Sequence, residues 1–138
     1  MSCVTCIGTG TVGRAWAVVF ARAGNAVRVF DALDGEVETR TLPGAHRTLE
    51  LLAENGMLDE PVETVFARIK PASTIAEAVT GAAYVQESVR EDVAVKREVF
   101  AEIAAHAPDE AILASSTSAI RGSEFLTDIT NPGRALVV

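Results

Sequence analysis

Three glycines near the start of the chain have the spacing of a phosphate-binding turn. Gly8, Gly10 and Gly13 form the pattern G-x-G-x-x-G directly after a short apolar run. In such a turn the first glycine permits a tight reversal, the second lets the backbone approach a diphosphate, and the third lets the helix pack closely on the strand. Free N–H groups and the helix dipole favour an anion there. The pattern predicts a dinucleotide site; a glycine turn selected only for packing is the alternative.

An acidic residue stands where the sugar of such a dinucleotide would lie. Asp31 ends the second strand-like run, residues 26 to 31, and lies 18 residues after Gly13. A carboxylate at this position accepts hydrogen bonds from the adenosine ribose hydroxyls and repels a 2′-phosphate. The next residue is Ala32, so no arginine follows to bind that phosphate. The expected cofactor is therefore NAD rather than NADP.

Strand-like and helix-like segments alternate along the chain. The predicted strands are residues 3 to 7, 26 to 31, 69 to 73, 82 to 86, 111 to 115 and 135 to 138. The predicted helices are residues 11 to 23, 44 to 56 and 60 to 69, a short helix capped by Ser73 or Thr74 and ending at Thr80, and a long helix opened by Glu91 or Asp92. Helical spacing predicts apolar faces made of Val12, Trp16, Val19 and Phe20 on the first helix and of Val95, Val99, Phe100 and Ile103 on the long one.

The predicted strands are near-continuous apolar runs, which is typical of a parallel sheet covered by helices on both faces. Right-handed crossovers make such a sheet doubly wound. The predicted fold is a single α/β domain over residues 1 to 138, a doubly wound parallel sheet of the Rossmann type with a helical excursion between strands 2 and 3. Such sheets bind ligands beyond the carboxyl ends of their strands, where the strand order reverses.

The composition limits the classes of protein to be considered. The chain has 138 residues, of which 49% are apolar and 22% charged, and its formal net charge is −7. This balance excludes a disordered tail and predicts no nucleic-acid or membrane partner. There is no apolar run of about 20 residues that could span a membrane, and the first thirteen residues lack the basic residues of a secretory leader. A cytoplasmic location is expected.

Cys3 and Cys6 form a C-x-x-C pattern that occurs in redox and zinc sites. The segment around them is predicted as a strand, in which the two Cα atoms would lie about 10 Å apart with their side chains on opposite faces. A disulfide requires less than about 7 Å. Two small, buried or half-buried thiols are expected, with no metal site.

Three longer sequences carry a resemblance to a known family. They are IGTGTVGRAWAVVFARAG at the start, VQESVREDVAVKREVF at residues 85 to 100 and ASSTSAI at residues 114 to 120. Over essentially its whole length the chain resembles the NAD-binding N-terminal domain of the 3-hydroxyacyl-CoA dehydrogenase family, most closely its lambda-crystallin and L-gulonate 3-dehydrogenase branch. The second and third sequences are the specific ones, because many dinucleotide enzymes share the first.

The resemblance implies roles for individual residues. Thr11 and Val12 fall in the turn that contacts the NAD diphosphate, and Glu91 and Lys96 match the acid and the lysine beside the nicotinamide half. Ser118 matches the serine that hydrogen-bonds the reacting oxygen of the substrate. A serine hydroxyl suits an oxygen that alternates between alcohol and carbonyl, because it both donates and accepts.

Each of these roles has a plainer alternative. Glu91 could be a helix-start residue stabilised by the dipole, Lys96 a solvated surface amine, and Ser118 a loop serine that caps the next turn. Glu87 lies just after the fourth strand and ranks second to Glu91 as the functional acid, because the count back from Lys96 favours Glu91.

The family implies an NAD-dependent oxidation of a secondary alcohol to a 3-keto product. The substrate would be an L-3-hydroxyacyl-CoA of fatty acid metabolism or a small 3-hydroxy acid such as L-gulonate. Residues 34 to 70 contain few basic residues that could bind the phosphates of CoA, which favours a small hydroxy acid as the substrate. Arg40 and Arg47 could still bind a CoA phosphate, so a CoA thioester remains an alternative. The alternatives are a non-catalytic NAD-binding or structural module, as in lambda-crystallin, and a nucleotide-sugar dehydrogenase.

The base that removes the hydroxyl proton is usually a histidine in this family. The resemblance places it just after the sixth strand, beyond Val138, together with a helical domain that completes the substrate site and a homodimer. His46 and His106 are expected to be surface or cap residues. The 138-residue chain is therefore expected to bind NAD without turning over substrate.

Overall fold

The computed structural model describes residues 2 to 138 and contains one six-stranded sheet. Its strands are β1 (Cys3–Ile7), β2 (Ala26–Phe30), β3 (Ile69–Pro71), β4 (Tyr84–Glu87), β5 (Ile112–Ser115) and β6 (Ala135–Val137). All neighbouring strands are parallel, in the order β3-β2-β1-β4-β5-β6. The strand order reverses between β1 and β4, so the predicted doubly wound parallel sheet is confirmed.

Helices cover both faces of the sheet. They are α1 (Thr11–Arg22), α2 (Leu42–Glu54), α3 (Val62–Phe66), α4 (Ile75–Val79), α5 (Val93–His106) and α6 (Gly122–Phe125). A π-helical turn (Val37–Thr41) leads directly into α2, and a 3₁₀ turn (Pro132–Arg134) precedes β6. The segment between β2 and β3 is the predicted helical excursion. Among the described residues, no helix is both long enough and apolar enough to cross a membrane.

Two apolar clusters form the core, one on each face of the sheet. Cys6 belongs to the cluster that α1 and α2 cover, whereas its neighbour Ile7 belongs to the cluster that α4 and α5 cover. Successive side chains of a strand point to opposite faces, so β1 contributes to both clusters. This arrangement explains why the strands are apolar without alternation. Both cysteines are free, as expected, and burial raises the pKa of the Cys6 thiol to about 12.

The apolar face predicted for α1 is wrong in part: Trp16 and Phe20 are half-buried and pack against the core, but Val12 and Val19 do not. Val12 and Val19 are 52% and 51% exposed. The face that packs on the sheet consists of small residues, namely Gly13, Ala17, Val18 and Ala21. Small side chains let the helix axis approach the strands closely, and this approach decides which face is buried. On α5, by contrast, Phe100 and Ile103 of the predicted face are buried.

Local capping signals predict helix starts better than helix lengths. The Thr74 hydroxyl accepts from the N–H of Glu77 at 3.0 Å and caps α4, and the Asp92 carboxylate accepts from the N–H of Val95 at 3.0 Å and caps α5. The helix predicted over residues 60 to 69 is reduced to α3, and the π-helical turn and α6 were not predicted.

Candidate functional site

The candidate site lies at the carboxyl ends of β1, β4 and β5, where the strand order reverses. Three loops meet at this edge: the glycine turn after β1, residues 88 to 92 after β4, and residues 116 to 121 after β5. The loops are close because the N–H of Ser88 donates to the carbonyl of Ile7 at 2.8 Å, and the N–H of Ser116 donates to the carbonyl of Glu87 at 2.9 Å.

Each glycine of the turn has a different structural requirement. Gly8 has φ +82°, and a Cβ built on it would lie 2.8 Å from the carbonyl of Ser88. A Cβ on Gly13 would lie 1.8 Å from the carbonyl oxygen of Gly8, so this glycine permits the close packing of α1 on β1. A Cβ on Gly10 would meet nothing within 4 Å. Packing therefore accounts for Gly8 and Gly13 but not for Gly10.

The amino end of α1 is open to an anion. Gly10 is its N-cap, no side chain caps the helix, and the first turn contains no acidic residue. Thr11 and Val12 are exposed there. The first N–H groups of a helix lack intrahelical acceptors and carry the positive end of the dipole. An uncapped helix end beside the open space at Gly10 fits the diphosphate of a dinucleotide.

Asp31 lies beside this turn, half-buried. Its Oδ2 accepts from the N–H of Thr9 at 2.7 Å and from the Thr9 hydroxyl at 3.0 Å, and its Oδ1 accepts from the N–H of Leu33 at 3.0 Å. The parallel register of β1 and β2 pairs Ile7 with Phe30 and so brings Asp31 to the turn. Asp31 thus stands where a carboxylate can meet the adenosine ribose.

The side chain of Lys96 is buried, and its ammonium group is paired with two carboxylates. It is 1% exposed, and its Nζ donates to Glu87 Oε1 at 2.8 Å and lies 3.5 Å from Glu91 Oε2. The alternative of a solvated surface amine is therefore wrong. Glu87 is fully buried and accepts further hydrogen bonds from the N–H of Val89 at 2.6 Å and from the Ser115 hydroxyl at 2.5 Å.

The two acids have different positions. Glu87 is the buried partner of Lys96, whereas the side chain of Glu91 is 42% exposed and can meet a ligand. Counting along the sequence favoured Glu91 and gave no sign of the buried pair. Lys96 lies four residues before Phe100, on the same face of α5, and a lysine at that spacing in an apolar face is the signal that could have shown it.

Glu91 and Ser118 are brought together by the loop after β5. The Glu91 carboxylate accepts from the N–H of Ser118 at 2.9 Å and from the Thr117 hydroxyl at 2.8 Å and 3.0 Å. The Ser118 N–H, the Thr117 hydroxyl and Lys96 hold the pKa of the Glu91 carboxyl below its usual value. Glu91 is not the cap of α5, since Asp92 has that role.

Ser118 is exposed, and its hydroxyl has no hydrogen-bond partner within residues 2 to 138. The next turn is capped by Thr117, whose hydroxyl accepts from the N–H of Ile120 at 3.1 Å. The hydroxyl of Ser118 is consequently available to a bound molecule. Sequence reasoning passed over the residues that hold this loop, which are Gln86, Ser115, Ser116 and Thr117.

Neither histidine contributes to this edge. His46 on α2 bonds Glu63 of α3 at 2.7 Å. His106 ends α5, a helix of 14 residues that begins at the site and is about 20 Å long. Among the described residues, no group of three or more His, Cys, Asp or Glu side chains could hold a metal ion.

A doubly wound parallel sheet with an open G-x-G-x-x-G turn at its switch point and a carboxylate after β2 defines a dinucleotide-binding domain. Comparison with known protein families shows which family of dinucleotide-binding domains this one is. Residues 3 to 138 match the family described as 3-hydroxyacyl-CoA dehydrogenase, NAD binding domain. The chain belongs to this family, and the predicted NAD cofactor is confirmed with it.

The similar proteins and solved structures support this family assignment. The chain is 32% identical over 137 residues to a lambda-crystallin homolog of Homo sapiens, covering 98% of the chain and 43% of that protein. It is 37% identical to an L-carnitine dehydrogenase of Streptomyces griseus, covering 97% of the chain and 39% of that protein. The crystal structure of a 3-hydroxybutyryl-CoA dehydrogenase from Escherichia coli superposes with a TM-score of 0.89 at 31% identity, covering 99% of the chain and 29% of that structure. The chain spans less than half the length of these relatives.

Proposed function

We propose that the chain is the NAD-binding part of a dehydrogenase that oxidises the secondary alcohol of an L-3-hydroxy acid, or of its CoA thioester, to the 3-keto product. The observation that carries the proposal is the exposed Ser118, whose backbone N–H bonds the Glu91 carboxylate at 2.9 Å at the edge where the glycine turn opens. The names of the relatives support it, since they include dehydrogenases of carnitine and of 3-hydroxybutyryl-CoA.

In this proposal each residue has a defined part. NAD, when bound, supplies the acceptor for the hydride. The amino end of α1 binds the diphosphate, and Asp31 accepts from the adenosine ribose. Ser118 donates to or accepts from the substrate oxygen as it changes from hydroxyl to carbonyl. Glu91 is kept ionised by the donors around it, and Lys96 contributes a buried positive charge near the nicotinamide half.

The proton of the substrate hydroxyl needs a base, which we propose to be a histidine that follows β6 in the complete enzyme. His46 and His106 do not suit this role, because one is bonded to Glu63 and the other lies at the far end of α5. The 138-residue chain, a single domain, would then bind NAD without turnover. Saturable NADH production by this chain alone would contradict that part of the proposal.

The test is NAD binding by calorimetry with glycine variants. Gly10→Ala is expected to weaken NAD binding at least tenfold while the melting temperature stays unchanged, because a methyl group there enters only the open space. Gly133→Ala is the matched control, since its Cβ would have an ordinary contact at 3.5 Å far from the site. Asp31→Arg should shift the preference toward NADP. A wild-type chain that binds no NAD would overturn the proposal.

Within the proposal, the free hydroxy acid is favoured over the CoA thioester. Most basic side chains of the excursion already have acidic partners: Arg40 lies 3.7 Å from Glu36, and Arg68 bonds Glu60 at 2.8 Å. Paired side chains are poorer ligands for the phosphates of CoA. Competition by free CoA for substrate binding to the complete enzyme would instead favour the thioester and a role in fatty acid metabolism.

The second candidate is a non-catalytic NAD-binding or structural module. It is supported by the likeness to lambda-crystallin homologs. Ser118→Ala in the complete protein separates the two. The enzyme should lose kcat with little change in NAD affinity, whereas a non-catalytic module has no turnover to lose.

The partners and location follow from composition and resemblance. We propose a cytoplasmic homodimer that takes a small-molecule substrate and binds neither nucleic acid nor membrane, in line with the net charge of −7. Sedimentation of the complete protein and fractionation of cells that produce it are the tests.

A further inference from the structure

We infer that Thr9 and Thr41 are positioning residues that leave Asp31 only one acceptor site for the cofactor. The inference rests on NAD binding as proposed above, and it concerns how the adenosine ribose is recognised. A carboxylate offers about four lone-pair sites to donors. In Asp31 three of them are already taken: the N–H and the hydroxyl of Thr9 occupy Oδ2, and the N–H of Leu33 occupies one site on Oδ1. One site remains, on Oδ1.

Thr41 determines where the proton of Thr9 points. The Thr41 hydroxyl donates to Thr9 Oγ1 at 2.7 Å, while its other possible acceptor, the Thr9 carbonyl, is at 3.4 Å. Both threonines are buried, at 1% and 0% exposure, so water cannot replace these bonds. Because the Thr9 hydroxyl oxygen accepts a hydrogen bond from the Thr41 hydroxyl, its own O–H is free to donate to Asp31 Oδ2 at 3.0 Å.

This arrangement links three elements. Thr9 lies in the glycine turn, Asp31 follows β2, and Thr41 ends the π-helical turn that leads into α2. Single-turn π-helices occur frequently at functional sites. Here the turn places a buried hydroxyl where it completes the chain from Thr41 through Thr9 to Asp31.

The consequence is an unequal use of the two ribose hydroxyls. The adenosine ribose of NAD carries a 2′-hydroxyl and a 3′-hydroxyl, and only one of them can donate directly to Asp31 while Thr9 holds Oδ2. A hydrogen bond to a charged group is stronger than one between neutral groups, and its loss should lower the affinity about tenfold or more. Removing the bound hydroxyl should have this effect, and removing the other should have little.

The experiment measures the affinity of the 138-residue chain for NAD and for its 2′-deoxy and 3′-deoxy analogues, modified on the adenosine ribose. In the wild type one analogue should bind at least tenfold more weakly than NAD, and the other within about threefold of it. In Thr9→Val the hydroxyl donor is gone and a second site opens on Oδ2, so both analogues should be weakened. Thr41→Val should also weaken the binding of both analogues, but to a smaller extent.

Two variants distinguish a specific effect of the Thr9 hydroxyl on Asp31 from a general loss of stability. Thr9→Ser keeps the hydroxyl and should restore the wild-type pattern of analogue affinities. Thr39→Val lies in the same π-helical turn, but its hydroxyl bonds the carbonyl of Gly35, so the pattern should not change. Melting temperatures show which variants are folded. If Thr9→Val does not fold, the wild-type and Thr41→Val measurements still decide.

The outcomes are distinguishable. A wild-type chain that binds NAD but loses affinity equally with either analogue overturns the inference and leaves the proposed function standing. An unchanged analogue pattern in folded Thr9→Val overturns it too. A wild-type chain that binds no NAD overturns the proposed function itself.

Discussion

The buried ammonium group of Lys96 sets the electrostatics of the site. An isolated charge in a protein interior is strongly unfavourable, and Lys96 is tolerated because Glu87 and Glu91 lie within 2.8 Å and 3.5 Å of it. Glu87 also accepts from the N–H of Val89 and from the Ser115 hydroxyl. The pair therefore joins α5 to the ends of β4 and β5, and it supports the loop that carries Ser118.

Removing the charge of Glu87 should destabilise the protein strongly. Glu87→Gln leaves Lys96 with one distant carboxylate, and breaking a buried ion pair in this way typically costs about 3–5 kcal/mol. Urea unfolding of the chain measures the change. Glu98→Gln, an exposed substitution on the same helix, should stay within about 0.5 kcal/mol of wild type.

A double variant tests whether pairing is the cause. In Glu87→Gln/Lys96→Met both charges are absent, and most of the lost stability should return. If the double variant is as unstable as Glu87→Gln, the hydrogen bonds of Glu87 to Ser115 and Val89 matter more than its charge.

Glu91 should make the stability of the loop depend on pH at the acid end. The donors from Ser118, Thr117 and Lys96 lower its pKa in the folded state, whereas the unfolded value is about 4.3. The stabilisation is therefore fully present above about pH 4.3 and is lost as the pH falls through the lower, folded pKa. The difference in melting temperature between wild type and Glu91→Gln should be constant near neutrality and shrink below pH 4.3. A difference that grows with acid would contradict this assignment.

At the scale of elements, the side chain of His46 on α2 contacts two residues of the short helix α3, beside the apolar packing of Val65 in the core. The His46 ring bonds Glu63 at 2.7 Å and packs edge-on against Phe66 with ring centroids 4.9 Å apart. The hydrogen bond to Glu63 raises the pKa of His46. The bond from His46 to Glu63 thus links α3 to α2, and it is stronger when the ring is protonated.

This contact should weaken as the pH rises. A raised pKa means that the stabilisation is fully present below the unfolded value of about 6.5 and is lost as the pH rises through the folded value. NMR titration should show that Glu63→Gln moves the pKa of His46 back toward 6.5. Glu50→Gln should have a smaller effect, because Glu50 lies 3.6 Å from the ring. Equal shifts in the two variants would contradict a dominant role of Glu63.

Elements whose signals are local could be predicted from the sequence. The strands follow from apolar runs, and the starts of α4 and α5 follow from Thr74 and Asp92. The buried face of α1 could not be predicted from hydrophobicity, because the closeness of helix and sheet at Gly13 decides it. The chain of bonds from Thr41 to Asp31 and the buried pair of Lys96 depend on contacts between residues far apart in sequence.

For the molecule as a whole, the two edges of the sheet differ. At one edge β3 is short and carries Lys70 and Pro71, and charged residues and proline discourage pairing with another strand. At the other edge β6 presents Leu136 and Val137, which are 42% and 45% exposed. An exposed apolar edge strand is a template for association. The 138-residue chain should therefore associate with itself through β6.

Leu136→Lys should suppress this association. A charged side chain on an edge strand blocks pairing, and at this exposed position it should change the stability of the monomer by less than about 0.5 kcal/mol. Sedimentation velocity over a range of concentrations should show oligomers for the wild type and a monomer for the variant. Met57→Lys is the matched control, because Met57 is 51% exposed but lies in a loop after α2; it should associate like the wild type. If the wild type is a monomer throughout, or if both variants are equally monomeric, the edge of β6 is not the contact.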